Sequence, residues 1–176
     1  MRHSRFFIFA TLVLLAVLHT PATSFAQATS NYSVGLMLGL GGSAESNPDT
    51  GIDNFSIEGI FSYKIDRYSR FRARVGQLDL ETDFGSSELN YLTLSGEYLV
   101  AADNYESGLF IGLGLYDLGG GVGFQDDNAL GLTLGVTGDF YLSDRFSLLV
   151  EFSGHYADFD STQFFVTGHA GVLFHF

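Results

Sequence analysis

The residues able to do chemistry fall into two groups. One is a set of single ionisable residues spread along otherwise apolar stretches: Glu58, Lys64, Arg72, Arg74, Glu97, Asp139, Glu151, His155 and His169. A buried charge needs an opposite partner and hydrogen bonds, or it is very costly. Acids and bases in such stretches therefore point to mutual pairing in a shared interior. The other group is a crowd of acids in polar stretches, Glu45, Asp49, Asp53, Glu81, Asp83, Glu88, Asp117, Asp126, Asp127, Asp158 and Asp160, with no Lys or Arg among them. Carboxylates suit Ca²⁺ or Mg²⁺, which makes Asp83, Asp117, Asp126, Asp127, Asp158 and Asp160 a candidate divalent-cation rim. Their spacing matches no defined calcium loop, so a solvated acidic crown is the stronger expectation.

Catalytic patterns are weak. His155 is the first candidate for acid–base work, but a Ser–His–acid mechanism needs a hydroxyl within reach of the imidazole. Spacing singles out neither Ser153 nor Ser161, and His155 reads better as a polar residue near the mouth of an interior. His169 with Glu151 gives two ligands, too few for a zinc site. An ion pair or hydrogen bond is the better reading, and His175 lies too far along the strand to join them. The run Gly119-Gly120-Gly121-Val122-Gly123 lacks the Lys-Ser/Thr of a phosphate loop. No catalytic residue, metal site or cofactor is assigned.

The elements that must position these groups are strands. The last stretch, Gln163–Phe176, reads QFFVTGHAGVLFHF. Phe164, Val166, Gly168, Ala170, Val172, Phe174 and Phe176 share one face, while Thr167, His169 and His175 share the other, the period of an extended strand. Seven more alternating segments precede it: Tyr32–Gly41, Asn54–Ile65, Arg70–Leu80, Leu89–Ala101, Ser107–Tyr116, Ala129–Leu142 and Arg145–Tyr156. Their lengths match tilted strands that cross a bilayer. Tight turns at Asp66–Ser69, Ala102–Glu106 and Ser143–Asp144 alternate with longer loops at Gly42–Asp53, Glu81–Glu88, Asp117–Asn128 and Ala157–Thr162. Short periplasmic turns and longer outer loops are the pattern of outer-membrane barrels. An even strand number lets first and last strands pair, which removes both open edges.

The spacing thus predicts an all-β fold, an eight-stranded antiparallel up-and-down transmembrane β-barrel. Outward rows such as Leu92/Leu94/Gly96/Tyr98/Val100 and Leu109/Ile111/Leu113/Leu115 hold no charge. Tyr63, Phe71, Tyr98, Phe140, Phe146, Phe174 and Phe176 gather near the short turns, where an aromatic girdle belongs. The inward rows collect the ionisable set with Gly35, Gly39, Gly112, Gly114, Gly131 and Gly135. An eight-stranded barrel is only wide enough for side chains to fill it. The expectation is a lumen network of Glu58, Arg72, Arg74, Glu97, Asp139, Glu151 and His169, acting as a plug. Symmetric folding of the loops sets Arg72 opposite Glu97, Arg74 opposite Ser95 and Glu151 opposite His169. A two-residue slip would change partners but not faces. The competing architecture is a soluble sandwich or cup with its apolar face inside.

Composition agrees. Arg2 and Arg5, the apolar run Phe6–Leu18 and Ser24-Phe25-Ala26 follow the order of a secretory signal peptide. We expect residues 1–26 to be cleaved and residues 27–176 to form one barrel domain. That mature chain has six basic residues against twenty acids, a charge of −14, which argues against nucleic acid as a partner. The chain has 46% hydrophobic residues, 22 Gly and no Cys, so no disulfide framework holds it.

The segment Tyr141-Leu142-Ser143-Asp144-Arg145-Phe146-Ser147 resembles the periplasmic turn of the OmpA/OmpX-like outer-membrane β-barrel superfamily. Tyr63-Lys64-Ile65-Asp66-Arg67-Tyr68-Ser69 echoes it. Terminal Phe176, with Phe174 and Val172, resembles that superfamily's signal to the barrel-assembly machinery. The resemblance implies an exported barrel in the outer membrane of a Gram-negative bacterium, with lipid and lipopolysaccharide around it and the assembly machinery as partner during biogenesis. Small-barrel lipid A deacylases look similar around His155, but their Ser two positions on is Ala157 here. The fold alone assigns no activity. A monomeric, non-enzymatic envelope or surface barrel is the leading expectation, and a lipid A-modifying enzyme or a narrow porin-like channel is the alternative.

Overall fold

The computed structural model describes residues 30–45, 51–82, 85–119, 127–159 and 163–176. The expected leader, Asp49, Asp83, Asp126, Asp160, Ser161 and the glycines at 120, 121 and 123 lie outside them. Eight strands follow in order: β1 Tyr32–Ser43, β2 Asn54–Lys64, β3 Ser69–Thr82, β4 Gly85–Ala101, β5 Tyr105–Leu118, β6 Asp127–Tyr141, β7 Phe146–Ala157 and β8 Phe164–His175. Each pairs antiparallel with its sequence neighbour, and β8 pairs with β1 from Ser33↔His175 to Ser43↔Phe165. The sheet is a closed barrel. Closure gives every central backbone N–H and C=O a partner, the condition for crossing lipid with strands.

Side-chain period fixes the two faces. Along β4, Tyr91, Thr93, Ser95, Glu97 and Leu99 are buried, whereas Leu92, Leu94, Tyr98 and Val100 are exposed. The other strands repeat this, so the exposed wall is apolar and the buried face carries the charges. The tight turns bond across their ends, as Ile65 N donates to Ser69 O at 2.9 Å, Ala102 N to Tyr105 O at 2.8 Å and Leu142 N to Phe146 O at 2.9 Å. Beside them Tyr32 lies near Tyr63 and Phe176, with ring centroids 5.0 and 6.1 Å away.

Four expectations are corrected. The connection expected as a loop over Glu81–Glu88 is mostly strand: Thr82 pairs with Gly85, and only residues 83–84 join β3 to β4. Moving the hairpin centre by one residue shifts its register by two. Arg70 therefore faces Glu97, Arg72 faces Ser95 and Arg74 faces Thr93. Glu106, expected in a turn, lies in β5 opposite Asp139 with its side chain buried. Asp117, expected in a loop, belongs to β5 and faces outward.

The interior is layered. At the outer end Leu78, Leu80, Leu89, Leu118, Phe159 and Phe165 pack with Tyr91, Tyr116 and Ala157. Below this layer sit the charged residues, flanked on the β1, β2, β7 and β8 side by Met37, Ile60, Leu149 and Leu173.

Candidate functional site

The site is the ionic layer of the lumen. β3 supplies three guanidinium groups at alternate positions, Arg70, Arg72 and Arg74, so all three point inward. Facing them are Glu58 from β2, Glu97 from β4, Glu106 from β5, Asp139 from β6 and Glu151 from β7, all buried. Several glycines leave the room. A Cβ on Gly108 would overlap the Glu97 carboxylate, and one on Gly135 would lie 2.6 Å from the Phe110 ring. That ring carries the Arg74 guanidinium 4.0 Å above its centroid, a cation–π contact strengthened by desolvation.

The charges form a chain of alternating sign. Lys64, near the periplasmic end, pairs with Glu106, and Glu106 lies 3.9 Å from Arg70. Arg70 Nε donates to Glu97 at 2.8 Å, and its Nη1 donates to Asp139 at 3.0 Å. Arg72 Nη1 lies 3.6 Å from both Glu97 and Glu151. Arg74 grips Glu151 with two parallel bonds, Nε to Oε1 at 2.9 Å and Nη2 to Oε2 at 2.9 Å. Its Nε lies 3.8 Å from Glu58, which accepts from the Tyr91 hydroxyl at 2.8 Å. Paired charges in a low-dielectric interior offset their desolvation only with good geometry and added hydrogen bonds. The fork of Arg74 has that geometry. Arg72 has less: its Nε donates to Ser62 at 3.0 Å, but among the described residues Nη1 and Nη2 find no hydrogen-bond partner.

All seven residues expected in the network occupy this interior. The diagonal lean of long side chains brings Arg72 near Glu97 and puts Arg74 Nη1 2.5 Å from Ser95 Oγ, although neither pair is in register. Glu151 does face His169 across β7 and β8, yet the expected bond between them is replaced. Glu151 is held by Arg74, and His169 Nε2 meets Ser56 Oγ at 2.9 Å. Arg70, Glu106 and Tyr91 complete the chain and were missed. Arg70 shares the parity of Arg72 and Arg74, so strand period alone would have found it.

His155 is buried beneath the apolar layer. Its Nδ1 is 3.1 Å from the Tyr116 hydroxyl and its Nε2 is 3.4 Å from Thr167 Oγ1. Ser153 Oγ bonds Thr167 Oγ1 at 2.7 Å instead of the imidazole. Among the described residues no carboxylate hydrogen-bonds His155, so a nucleophile–base–acid relay is not assembled there. Of the candidate cation rim, Asp158 accepts from Gln163 Nε2 at 3.2 Å, Asp127 opens β6, and Asp117 stands on the outer wall. Among the described residues no three His, Cys, Asp or Glu side chains gather as a ligand set. Val172, Phe174 and Phe176 are exposed on the lipid-facing row, and Phe176 N closes onto Tyr32 O at 3.0 Å.

An apolar outer wall around a charge-bearing interior, in eight meandering strands closed into a barrel, defines a class, the small bacterial outer-membrane β-barrel. Solved structures agree. Neisserial surface protein A superposes with a TM-score of 0.69 at 17% identity, over 84% of this chain and 98% of that one. The N-terminal barrel domain of Pseudomonas aeruginosa OprF gives 0.57 at 12% identity, over 84% and 98%. Ail, the attachment invasion locus protein of Yersinia pestis, gives 0.54 at 14% identity, over 84% and 97%, in a structure with the heparin analogue sucrose octasulfate. At these identities the likeness is one of fold. No family model matches the sequence, and no curated protein matches it.

Proposed function

We propose that the protein is a non-enzymatic barrel of the bacterial outer membrane, exported with loss of residues 1–26, whose lumen is sealed by its charged network. The observation that carries this reading is the continuous chain from Lys64 to Glu58 lying under the apolar layer of Leu80, Phe159 and Phe165. Each group with acid–base capacity in that chain has a charged partner, and the layer above separates it from the outer surface. The acidic outer loops are assigned no ligand in this reading. The Lys- and Arg-free outer loops give a polyanion such as the sulfated ligand of Ail nothing to grip, so that interaction is not carried over.

Two measurements test the proposal. Lipid A from cells with and without the protein is compared by mass spectrometry, and identical spectra are expected. A mass difference of an acyl chain that disappears in His155→Asn would replace the proposal with an enzyme. Planar-bilayer recording is expected to show no conductance steps, and regular steps would replace it with a channel.

A further inference from the structure

The outer boundary of the lipid-facing wall is asymmetric. On β2, β7 and β8 it is marked by Phe55, Tyr156 and Phe164, with Tyr156 and Phe164 rings 5.0 Å apart. On β3 to β6 no described outward-facing residue beyond Val75, Leu92, Leu115 and Leu130 is aromatic. There the register sets Gln77 against Asn90, Asn90 against Asp117 and Asp117 against Asn128, a continuous polar row across four strands. The row directly below, Val75, Leu92, Leu115 and Leu130, is wholly apolar and exposed. Between the two rows lies an open groove of about 550 Å³, within the roughly 300–1,000 Å³ of ligand sites. Among the described residues, the side chains of Asn90 and Asp117 have no hydrogen-bond partner.

We propose that this groove on β4 to β6 holds one outer-leaflet lipid, an amino-sugar lipid carrying amide-linked, hydroxylated acyl chains. The inference rests on the outer-membrane reading above. An acyl chain would lie over Leu92, Leu115 and Leu130. The polar row sits where such a lipid turns from hydrocarbon to sugar. Asn90 and Asn128 each offer both an amide donor and a carbonyl acceptor, the complement of an amide linkage. Asp117 accepts from hydroxyl or amide N–H groups. No cation stands in the row, and Asp117 repels phosphate, so selection falls on the amide and hydroxyls and not on the phosphate shared by all anionic lipids. Aromatic residues at the opposite wall sit in any interface and offer no comparable set.

The test is native mass spectrometry of the mature barrel in detergent, with dephosphorylated lipid A and phosphatidylglycerol as competing probes. Dephosphorylated lipid A is expected to be retained in preference. Asn90→Leu/Asn128→Leu is expected to reduce its retention about tenfold, the equivalent of two modest hydrogen bonds. Asp117→Asn, a milder change, is expected to give a smaller loss, and Tyr156→Leu on the opposite wall none. Equal retention of both probes, retention unchanged in the variants, preference for intact lipid A alone, or a second copy of the chain at this wall would each overturn the proposal. A mature chain without a β-strand circular dichroism spectrum in detergent would instead overturn the membrane reading itself.

Discussion

Arg74 and Arg72 share a strand face and are equally buried, but they are not equivalent. Arg74 holds Glu151 through a two-bond fork, bonds Ser95 and stacks on Phe110. Arg72 has one hydrogen bond to Ser62 and two carboxylates at 3.6 Å. Removing one partner of a well-made buried pair leaves an uncompensated charge and costs about 3–5 kcal/mol. Arg74→Met is therefore expected to cost about that much, and Arg72→Met about 1–3 kcal/mol, the value of a hydrogen bond to a charged group. The chain has no Trp, so the check is urea titration in detergent followed by circular dichroism. Equal costs would show that the short bonds of Arg74 carry no more weight than the looser contacts of Arg72. The double variant Arg74→Met/Glu151→Leu is expected to lose less than the sum of the single variants, since it removes both charges together. Phe176 belongs to a different argument. We propose that Val172, Phe174 and Phe176 are read by the assembly machinery, so Phe176→Ala slows assembly in cells while leaving the urea midpoint of refolded protein near wild type. A fall in the midpoint with unchanged assembly would assign Phe176 a purely packing role against Tyr32 and Phe174.

Strands were legible because period two, apolar rows and short turns agree at every level. Connection lengths were less so: the acidic stretch Glu81–Glu88 looks like a loop, yet β3 and β4 continue through it as a hairpin. Polarity marks exposure to water and not the end of backbone pairing, so strands that run past the membrane boundary read as loops. The register error of Arg72 and Glu97 follows from that single hairpin. The outer apolar layer was missed for a related reason, since Leu78, Leu80, Leu89 and Leu118 lie on the inward parity where polar residues were expected. Glycines on paired strands give a test of register. At Gly39 a Cβ would lie 2.5 Å from the His169 ring and 2.9 Å from the Gly168 carbonyl carbon, whereas at Gly96 and Gly154 it would meet nothing within 4 Å. Gly39→Ala is expected to destabilise by about 1–3 kcal/mol through overpacking, while Gly96→Ala and Gly154→Ala raise stability by about 0.4–1 kcal/mol by restricting the unfolded chain. Equal effects at the three sites would contradict the β1–β8 and β4–β5 pairings. In the periplasmic turn, Asp66 accepts from Tyr68 N at 2.7 Å. That backbone bond, with help from Ser69, holds its carboxyl below the ordinary aspartate value. The contribution is present above the unfolded-state value and lost as pH falls through the lowered one. The difference in urea midpoint between wild type and Asp66→Ala is therefore expected to shrink on acidification below about pH 4.

At the scale of the whole barrel, lipid outside and charge inside oblige the interior to be filled, because eight strands leave space for side chains and no more. In the sealed-lumen proposal, two unlike barriers then lie in series. An ion entering from the periplasmic end meets carboxylates and guanidinium groups already committed to one another, and passage requires breaking bonds such as Arg70–Glu97 and Arg74–Glu151. An ion entering from outside meets Leu80, Phe159 and Phe165, and an apolar constriction excludes ions by shedding water. That proposal makes either barrier alone sufficient, so the wild type is expected to be silent in a planar bilayer. Phe159→Ala/Phe165→Ala thins only the outer layer and is expected to stay silent, although loss of a buried Phe costs about 3–5 kcal/mol of stability. Arg74→Ser/Glu151→Ser opens only the ionic layer, removing the forked pair together while Glu58 keeps its bond from Tyr91 and Arg72 keeps Glu97, and is expected to stay silent too. The four substitutions combined are expected to give discrete conductance steps. Steps in either double variant would reduce the seal to one barrier and identify it as the layer left intact in the silent one. Steps of the same size in the wild type would mean that the charges line a path and do not close it.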